Sequence, residues 1–245
     1  MGCDDPQRVR ILVSGWGLAT LALATLAFAG GCAAVVVLLA RKGGSGPLFA
    51  RKFFHISIFS GAVPAQLIGG FWGVVTYGTI MAGLVLLGSR KGPGTSFFDG
   101  LARVESGEDS SHRSILSPLF STGLGGLLAV LLVGDLATIG YLVCGWGDAA
   151  GELVGRRWGA HEYRSLCFHP RPSTKTLEGT LGVLVVGSGG GLAAATLLGI
   201  PPVPAVQAGL AAGAVGAVVE GVAGRDTDNL WVQLLASLAA WLVVG

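Results

Sequence analysis

Apolar runs long enough to cross a lipid bilayer fill most of this chain of 245 residues. A membrane-spanning helix needs about 20 apolar residues, and runs near that length occur at 11–40, 54–71, 72–88, 115–133, 136–154, 179–198, 203–222 and 229–244. Charged residues make up only 12% of the chain and the mean hydropathy is +0.68, which excludes an ordinary soluble domain. The pattern predicts an all-α, polytopic integral membrane protein with about eight transmembrane helices in a single transmembrane domain, residues 1–245.

Lysine and arginine are distributed unevenly among the predicted connections. Connections after the first, third, fifth and seventh predicted helices contain basic residues, and those after the second, fourth and sixth contain none. The basic residues are Arg41, Lys42, Arg51, Lys52, Arg90, Lys91, Arg103, Arg113, Arg156, Arg157, Arg164, Arg171, Lys175 and Arg225. By the positive-inside rule, these connections face the cytoplasm and both termini lie outside, as expected for a multi-pass protein of a bacterial inner membrane.

Two of the basic connections are long. In the cytoplasmic connection over residues 89–114, apolar residues recur at helical spacing (Phe97, Phe98 and Leu101). This spacing predicts a partly amphipathic segment at the membrane surface, with an ordinary solvated loop as the alternative. The connection over residues 155–178 is a cytoplasmic basic loop that carries polar motifs.

Charge and cysteine content exclude two classes of site. The formal net charge of +2 is too small to indicate a nucleic-acid partner. The four cysteines form no Cys-x-x-Cys pair, and two of them lie within apolar runs. Neither a disulfide framework nor a zinc site is therefore predicted.

A run of charged residues interrupts the end of the fifth predicted helix. Asp148, Glu152 and Arg156 follow one another at four-residue intervals, which places them on one face of a helix. A neighbouring stripe with the same spacing consists of Gly147, Gly151, Gly155 and Gly159. Charges in a membrane segment are costly and usually functional. We therefore expect the glycine seam to admit another backbone while the acids face a water-filled cleft; an ion pair that only shields itself is the simpler alternative.

Further polar residues lie on the same predicted cytoplasmic side. Lys52 and His55 open the second predicted helix, Lys175 precedes the sixth, and Asp226 and Asp228 precede the eighth. Simpler roles are a membrane anchor for the lysine, helix packing for the histidine and an N-cap for the last aspartate. Together, however, acids, a lysine and arginines in glycine-rich backbone are the groups that hold a metal-bound phosphate.

The motifs, in this order, resemble those of a known family. Arg51-Lys52-Phe53-Phe54-His55 is similar to the Arg-Lys-x-x-His opening of the phytol kinase and dolichol kinase family of multi-pass membrane enzymes. The stretch 147–159 is similar to its Gly-Asp-Ala stretch, and 175–180 resembles its Lys-[Ser/Thr]-x-Glu-Gly motif. Asp226, Asp228 and Asn229 resemble the acid-rich Asp-Asn-Leu that opens a late helix. The resemblance covers about residues 50–230 and is closer to the phytol kinase branch.

The resemblance implies a reaction. The family phosphorylates long isoprenoid alcohols, usually with CTP as donor, and requires a divalent metal. We therefore expect a kinase that uses Mg²⁺ and transfers the γ-phosphate of CTP, or of another nucleotide, to a lipid alcohol such as phytol. The expected partners are the lipid alcohol, the nucleotide and membrane lipids, with the oligomeric state left open.

Phosphoryl transfer needs a metal, cations around the phosphates and an aligned hydroxyl, and the motifs provide candidates for each. Asp148 with Asp226 or Asp228 is expected to hold Mg²⁺, while His55 or Asp148 is expected to accept the alcohol proton. Lys175 is expected to act on the transferring phosphate. The residues expected to bind the nucleotide and its phosphates are Lys52, Arg156, Lys175, Thr176, Glu178, Gly179 and Thr180.

Three other functions fit parts of the sequence. A CTP-dependent phosphatidate cytidylyltransferase shares the donor and the membrane setting, although the Lys-Asp pair of its signature is absent from this chain. A kinase for another lipid, such as diacylglycerol, is the second. A transporter is the third, because polar residues and glycine-broken helices also mark transport pathways; against it, the polar residues cluster at one membrane face.

Overall fold

The computed structural model describes residues 15–102, 112–165, 174–224 and 227–245, and this part of the chain is mostly helical. The helices are α1 Gly15–Ala40, α2 Gly46–Ser89, α3 Ser96–Leu101, α4 Arg113–Val133, α5 Ala137–Leu142, α6 Asp148–Trp158, α7 Leu177–Leu197, α8 Pro202–Val222 and α9 Asp228–Val244. A 3-10 turn at Gly134–Leu136 precedes α5, and a π-helical turn at Val143–Gly147 joins α5 to α6. Strands β1 Glu162–Arg164 and β2 Thr174–Thr176 pair antiparallel, a short ribbon that the all-α prediction did not include.

Several helices are suited to a membrane. Among the described residues, five helical runs are long and apolar enough to cross one, namely Gly17–Ala40, Gly46–Ser89, Arg113–Trp158, Leu177–Leu197 and Pro202–Val222. Asp228–Val244 is apolar but shorter. A helical protein with several candidate membrane spans is therefore confirmed, whereas these criteria do not confirm the predicted count of eight.

Helix α2 is a hairpin. It reverses at Gly70, whose φ of 55° and ψ of −141° lie in a region that favours glycine. The Tyr77 hydroxyl donates a hydrogen bond of 2.9 Å to the carbonyl of Ile58, 19 residues away, although a straight helix would separate these residues by about 28 Å. The two arms, 46–69 and 71–89, therefore lie side by side.

A second hairpin runs from α4 into α5 and α6. It reverses at Gly134, which has a φ of 58°, and the Tyr141 hydroxyl donates a 3.0 Å hydrogen bond back to the carbonyl of Gly126. The Gln66 amide donates to the carbonyl of Gly134 at 2.8 Å. Because Gln66 lies at the end of the first arm of α2, this bond ties the second hairpin to the first.

Glycines mediate the contact between α6 and α7. A Cβ at Gly151 would lie 3.2 Å from the carbonyl oxygen of Gly179, and a Cβ at Gly179 would lie 2.8 Å from that of Gly151. At Gly147 a Cβ would lie 3.4 Å from the Cα of Gly187. Small residues permit such close approach of membrane helices. The predicted approach of another backbone along the glycine seam is confirmed, and it fixes α6 against α7.

The two long connections are described only in part, because residues 103–111 and 166–173 lie outside the described residues. In the first, α3 buries Phe98 and Leu101 in a cluster with Val36 and Ala50. This part of the segment therefore packs against α1 and α2.

Candidate active site

A network of ion pairs joins the first arm of α2 to α6. The ammonium of Lys52 lies 2.7 Å from a carboxylate oxygen of Asp148 and 2.8 Å from one of Glu152. Arg51 forms a second ion pair with Glu152, and Arg156, one turn further along α6, lies 2.9 Å from the same carboxylate. The four-residue spacing of the α6 side chains presents both acids to the paired cations of α2.

These charges are largely removed from solvent. The Lys52 side chain is 6% exposed, and those of Asp148 and Glu152 are 16% and 18% exposed. Charges at this depth persist in proteins when they are paired, because an unpaired buried charge is very costly. The Lys52 ammonium therefore compensates the charges of both carboxylates within the protein.

His55 lies beside the network, one turn after Lys52. Its Nε2 is 3.3 Å from a carboxylate oxygen of Asp148 and 3.5 Å from the carbonyl of Cys144. Its ring meets the ring of Phe59 edge-on, with 4.8 Å between the centroids. The histidine is thus held between a carboxylate and an aromatic wall, and Asp228 is close enough for its charge to act on the ring.

The chain that leads into Asp148 is locally irregular. The π-helical turn Val143–Gly147 ends where α6 begins, and such turns occur often at functional sites. Trp146 anchors the turn by donating a 2.9 Å hydrogen bond to the hydroxyl of Ser60. Gly145 lies so close to Phe59 that a side chain there would collide with the ring. Together these contacts set Asp148 against the first arm of α2.

A pocket opens in front of the network, and we call it the charged pocket. Its volume is about 110 Å³, and its polar wall consists of Arg51, Lys52, His55, Asp148, Glu152 and Asn229. The other lining residues are mainly apolar side chains of α2 and α4, among them Phe54, Val85 and Ile115. Charged and apolar side chains thus line one small cavity together.

The start of α9 completes the polar wall. Asp228 is buried and accepts a 2.9 Å hydrogen bond from the backbone N–H of Asn229. The Asn229 amide donates to the hydroxyl of Thr122 on α4 at 2.8 Å. The helix begins at Asp228, with Thr227 in the N-cap position that the sequence suggested for the aspartate. Asp226, the other predicted metal ligand of this motif, lies outside the described residues.

Lys175 belongs to a second polar cluster. Its ammonium donates to the carboxylate and to the backbone carbonyl of Glu220 on α8. The charge of Glu220 is close enough to interact with those of Asp148 and Asp228. The Lys175–Glu220 pair and the charged pocket are therefore neighbours, but no described ion pair joins Lys175 to Asp148 or Glu152.

The other predicted residues of this motif form the start of α7. The Thr176 hydroxyl accepts a 3.1 Å hydrogen bond from the N–H of Gly179 and so caps the helix. Thr180 shares a 2.6 Å hydrogen bond with the hydroxyl of Tyr163 on β1. Glu178 lies 2.6 Å from the ring nitrogen of His161. The described contacts of these side chains are thus with the ribbon, its flanking residue and their own helix.

Oxygen ligands for a metal are present but few. Within the described ranges, no group of three or more His, Cys, Asp and Glu side chains is arranged to hold a metal ion. Asp148 and Glu152 offer two carboxylates on one wall of the charged pocket. Mg²⁺ is commonly bound by one or two carboxylates, with waters and substrate phosphates supplying the rest, so this donor set fits a nucleotide-bound magnesium ion.

Sequence reasoning did not assign roles to Arg51, Glu152, Glu220 or Asn229 as site residues, although the structure places all four in these clusters. Two of them carried a signal. Glu152 shares the helical face of Asp148, and Glu220 is a lone acid in an otherwise apolar helix, where charge usually indicates function. Arg51 lies beside an apolar run, where a basic residue commonly serves as a membrane anchor, so its position in the sequence does not by itself indicate a site.

Comparison with known proteins identifies the family. The chain is 32% identical over 202 residues to the phytol kinase of Synechocystis sp., and the alignment covers 78% of this chain and 77% of that protein. No family model matches the chain, and no solved structure matches it. Similarity at this level over most of both sequences agrees with the motifs that line the charged pocket, and the chain belongs to the phytol kinase family.

Proposed function

We propose that this protein is a membrane kinase that transfers the γ-phosphate of CTP to the hydroxyl of an isoprenoid lipid alcohol such as phytol. The observation that carries the proposal is the charged pocket, which is lined by cations and carboxylates together with apolar side chains. Phosphoryl transfer relies on such positioned charges, and the apolar side chains suit a greasy acceptor. The relative from Synechocystis sp., a phytol kinase, supports the same reaction class.

Arg51 and Lys52 are the cations we assign to the transferring phosphate. Both line the charged pocket and are held by carboxylates of α6. Arginine and lysine bind phosphate oxygens through charge-assisted hydrogen bonds. When the nucleotide binds, its phosphates compete with Asp148 and Glu152 for these cations, and the carboxylates become available to a metal.

Asp148 is the principal magnesium ligand in this proposal, with Glu152 on the same wall of the charged pocket and Asp228 as a further candidate. Magnesium bound there supplies positive charge that offsets the negative charge developing on the phosphate oxygens. Asp148 is fixed for this role by the π-helical turn on one side and by Lys52 on the other. Its substitution should therefore affect turnover more than folding.

His55 is the group we assign to accept the proton of the alcohol. Its Nε2 lies 3.3 Å from Asp148, within the wall of the charged pocket. A hydroxyl placed against this ring would be oriented by the histidine and lose its proton to it as the bond to phosphorus forms. Asp148, paired at 2.7 Å with Lys52, serves as the charge partner of the resulting imidazolium.

The remaining predicted residues are assigned to the rest of the nucleotide. Arg156 is 53% exposed and has the reach to turn from Glu152 toward a bound phosphate. The start of α7, with Lys175, Thr176, Glu178, Gly179 and Thr180, adjoins the charged pocket through Glu220. The positive end of the helix dipole favours an anion at a helix N-terminus, which supports a phosphate position there.

We further propose eight membrane crossings, with the charged pocket at the cytoplasmic face. Two of the five candidate helical runs are hairpins, and each hairpin counts as two crossings. The five runs therefore make seven crossings, and α9 makes the eighth. The reversals at Gly70 and Gly134 and the turn over residues 198–201 contain no lysine or arginine. The basic residues that the structure describes, such as Arg51, Lys52, Arg90 and Arg156, lie toward the opposite helix ends, which the positive-inside rule assigns to the cytoplasm.

A donor and acceptor screen tests this function. Purified protein in lipid nanodiscs should form phytyl phosphate from phytol when CTP and Mg²⁺ are present, and chelation of the metal should stop the reaction. Other nucleoside triphosphates and diacylglycerol should give less product. Thermal unfolding should first show that the protein is folded. If such protein forms no phosphorylated lipid with any of the four common nucleoside triphosphates, the proposal is contradicted.

A further inference from the structure

A second cavity adjoins the charged pocket and is lined mainly by α2 and α4, and we call it the apolar groove. Its volume is about 300 Å³, compared with about 110 Å³ for the charged pocket. Ile58, Phe59, Leu119 and Thr122 line both cavities. The two cavities therefore adjoin, and together they extend from a charged end to an apolar end.

The larger polar side chains along the apolar groove have partners within the protein. Tyr77 donates to the carbonyl of Ile58 at 2.9 Å, and Tyr141 donates to that of Gly126 at 3.0 Å. Gln233 donates at 2.7 Å to a backbone carbonyl one turn earlier on α9. Because these groups are engaged, a ligand needs no polar atoms to occupy the groove, and a hydrocarbon chain fits this lining.

The combined space has the depth of a prenyl chain. Along α4 its lining extends from Ser114 in the charged pocket to Leu127 in the apolar groove, a helical distance of about 20 Å. An isoprene unit contributes four main-chain carbons, or about 5 Å when extended with single bonds of about 1.5 Å. About four isoprene units therefore fit between the charged end and the far end.

Two glycines flank the side of the apolar groove. Gly78 on the second arm of α2 and Gly123 on α4 both line it and are both exposed. A Cβ at either position would meet no atom within 4 Å, whereas one at Gly125, two residues along α4, would lie 2.6 Å from Leu230. Helix packing therefore explains why residue 125 is a glycine, but it does not explain Gly78 and Gly123. At these two glycines the groove is open to the bilayer.

We propose that the hydrocarbon tail of the lipid alcohol enters sideways from the bilayer between Gly78 and Gly123 and lies in the apolar groove. The hydroxyl then reaches the charged pocket beside His55 and Asp148. This inference rests on the proposed function for the identity of the tail. The lining that the groove shares with the charged pocket and the open space at the two glycines are the observations that carry it.

Photo-crosslinking locates the tail without requiring turnover. A phytol analogue with a diazirine at the tail end, added to protein in nanodiscs, should crosslink to residues of the apolar groove, and excess phytol should compete. Gly123→Leu and Gly78→Leu should each reduce this competed crosslinking about tenfold, in the range that overfilling a site produces. Gly83→Leu is the matched control, because it lies on the same arm of α2, has the same open space and does not line the groove.

Turnover provides the second readout. With phytol, kcat/KM should fall about tenfold in Gly123→Leu. Geraniol has only two isoprene units, which end before the new leucine side chain, so kcat/KM with geraniol should stay within about twofold of the unsubstituted protein. Gly123→Ala should have a smaller effect than Gly123→Leu. Competed crosslinks outside the groove only, or equal losses with both alcohols, would overturn the inference. The protein could instead show crosslinks in the groove that excess phytol reduces, yet phosphorylate no alcohol. That result would reject the proposed function but would still support the groove as the binding site of the tail.

Discussion

Replacing Lys52 by methionine should destabilise the protein substantially. Lys52 lies between Asp148 and Glu152 at 2.7 and 2.8 Å, and its side chain is 6% exposed. Methionine keeps most of the apolar stem but removes the ammonium, so two buried carboxylates lose their shared cation. Breaking a buried ion pair on one side costs about 3–5 kcal/mol. Arg51 still neutralises Glu152, so we expect the lower end, about 3 kcal/mol.

The assay is thermal unfolding of the purified protein in detergent, followed by tryptophan fluorescence. For a chain of this size each kcal/mol lowers Tm by about 2–4 °C, so Lys52→Met should lower it by about 6–12 °C. Lys91→Met is the control, because Lys91 is an exposed lysine after the other arm of α2, and it should leave Tm unchanged.

A second substitution tests the cause. Adding Asp148→Asn to Lys52→Met removes one uncompensated charge and should restore part of the lost Tm, so the two changes should be non-additive. If Lys52→Met unfolds at the same temperature as Lys91→Met, the ion-pair network contributes nothing to stability and the reasoning is wrong.

Three further predictions test the site, the glycine seam and the topology. The Asp148→Asn protein should insert into the membrane normally, but its turnover should fall about 10²- to 10³-fold, as expected when charge stabilisation of a transition state is removed. The control Asp135→Asn changes an exposed residue in the 3-10 turn before α5 and should retain activity. Gly179→Ala should lower the stability by about 1–3 kcal/mol through overpacking against α6. Gly189→Ala on the same helix has open space and should leave the stability unchanged. Equal effects of the two changes would contradict close packing of α6 against α7 along the glycine seam. A single cysteine at Ala160, in a cysteine-free background, should resist an impermeant thiol reagent added outside, and labelling there would place the charged pocket on the wrong side.

Local spacing predicted much of the helical framework. The four-residue glycine stripe on α6 indicated a close helix contact, and α7 supplies it. The break predicted between residues 71 and 72 lies next to Gly70, where α2 reverses. These features are set within a few turns of one helix, so the sequence alone carries them.

Contacts between distant segments were harder to predict. Arg51 and Lys52 are about 100 residues from Glu152, and only the packing of α2 against α6 brings them together. Lys175 was expected at the phosphate with Asp148, but its described partner is Glu220, an acid within α8. Helix α2 also begins at Gly46, earlier than the predicted 54, with Pro47 in its first turn, a position where proline is favoured.

The fate of labelled phosphate tests the central claim most directly. With phytol, Mg²⁺ and CTP labelled at the γ-phosphate, a lipid kinase should place the label in the lipid product. With CTP labelled at the α-phosphate, the label should stay in CDP. Transfer of the α-label to lipid would show cytidylyl transfer and contradict the assignment of this protein as a kinase.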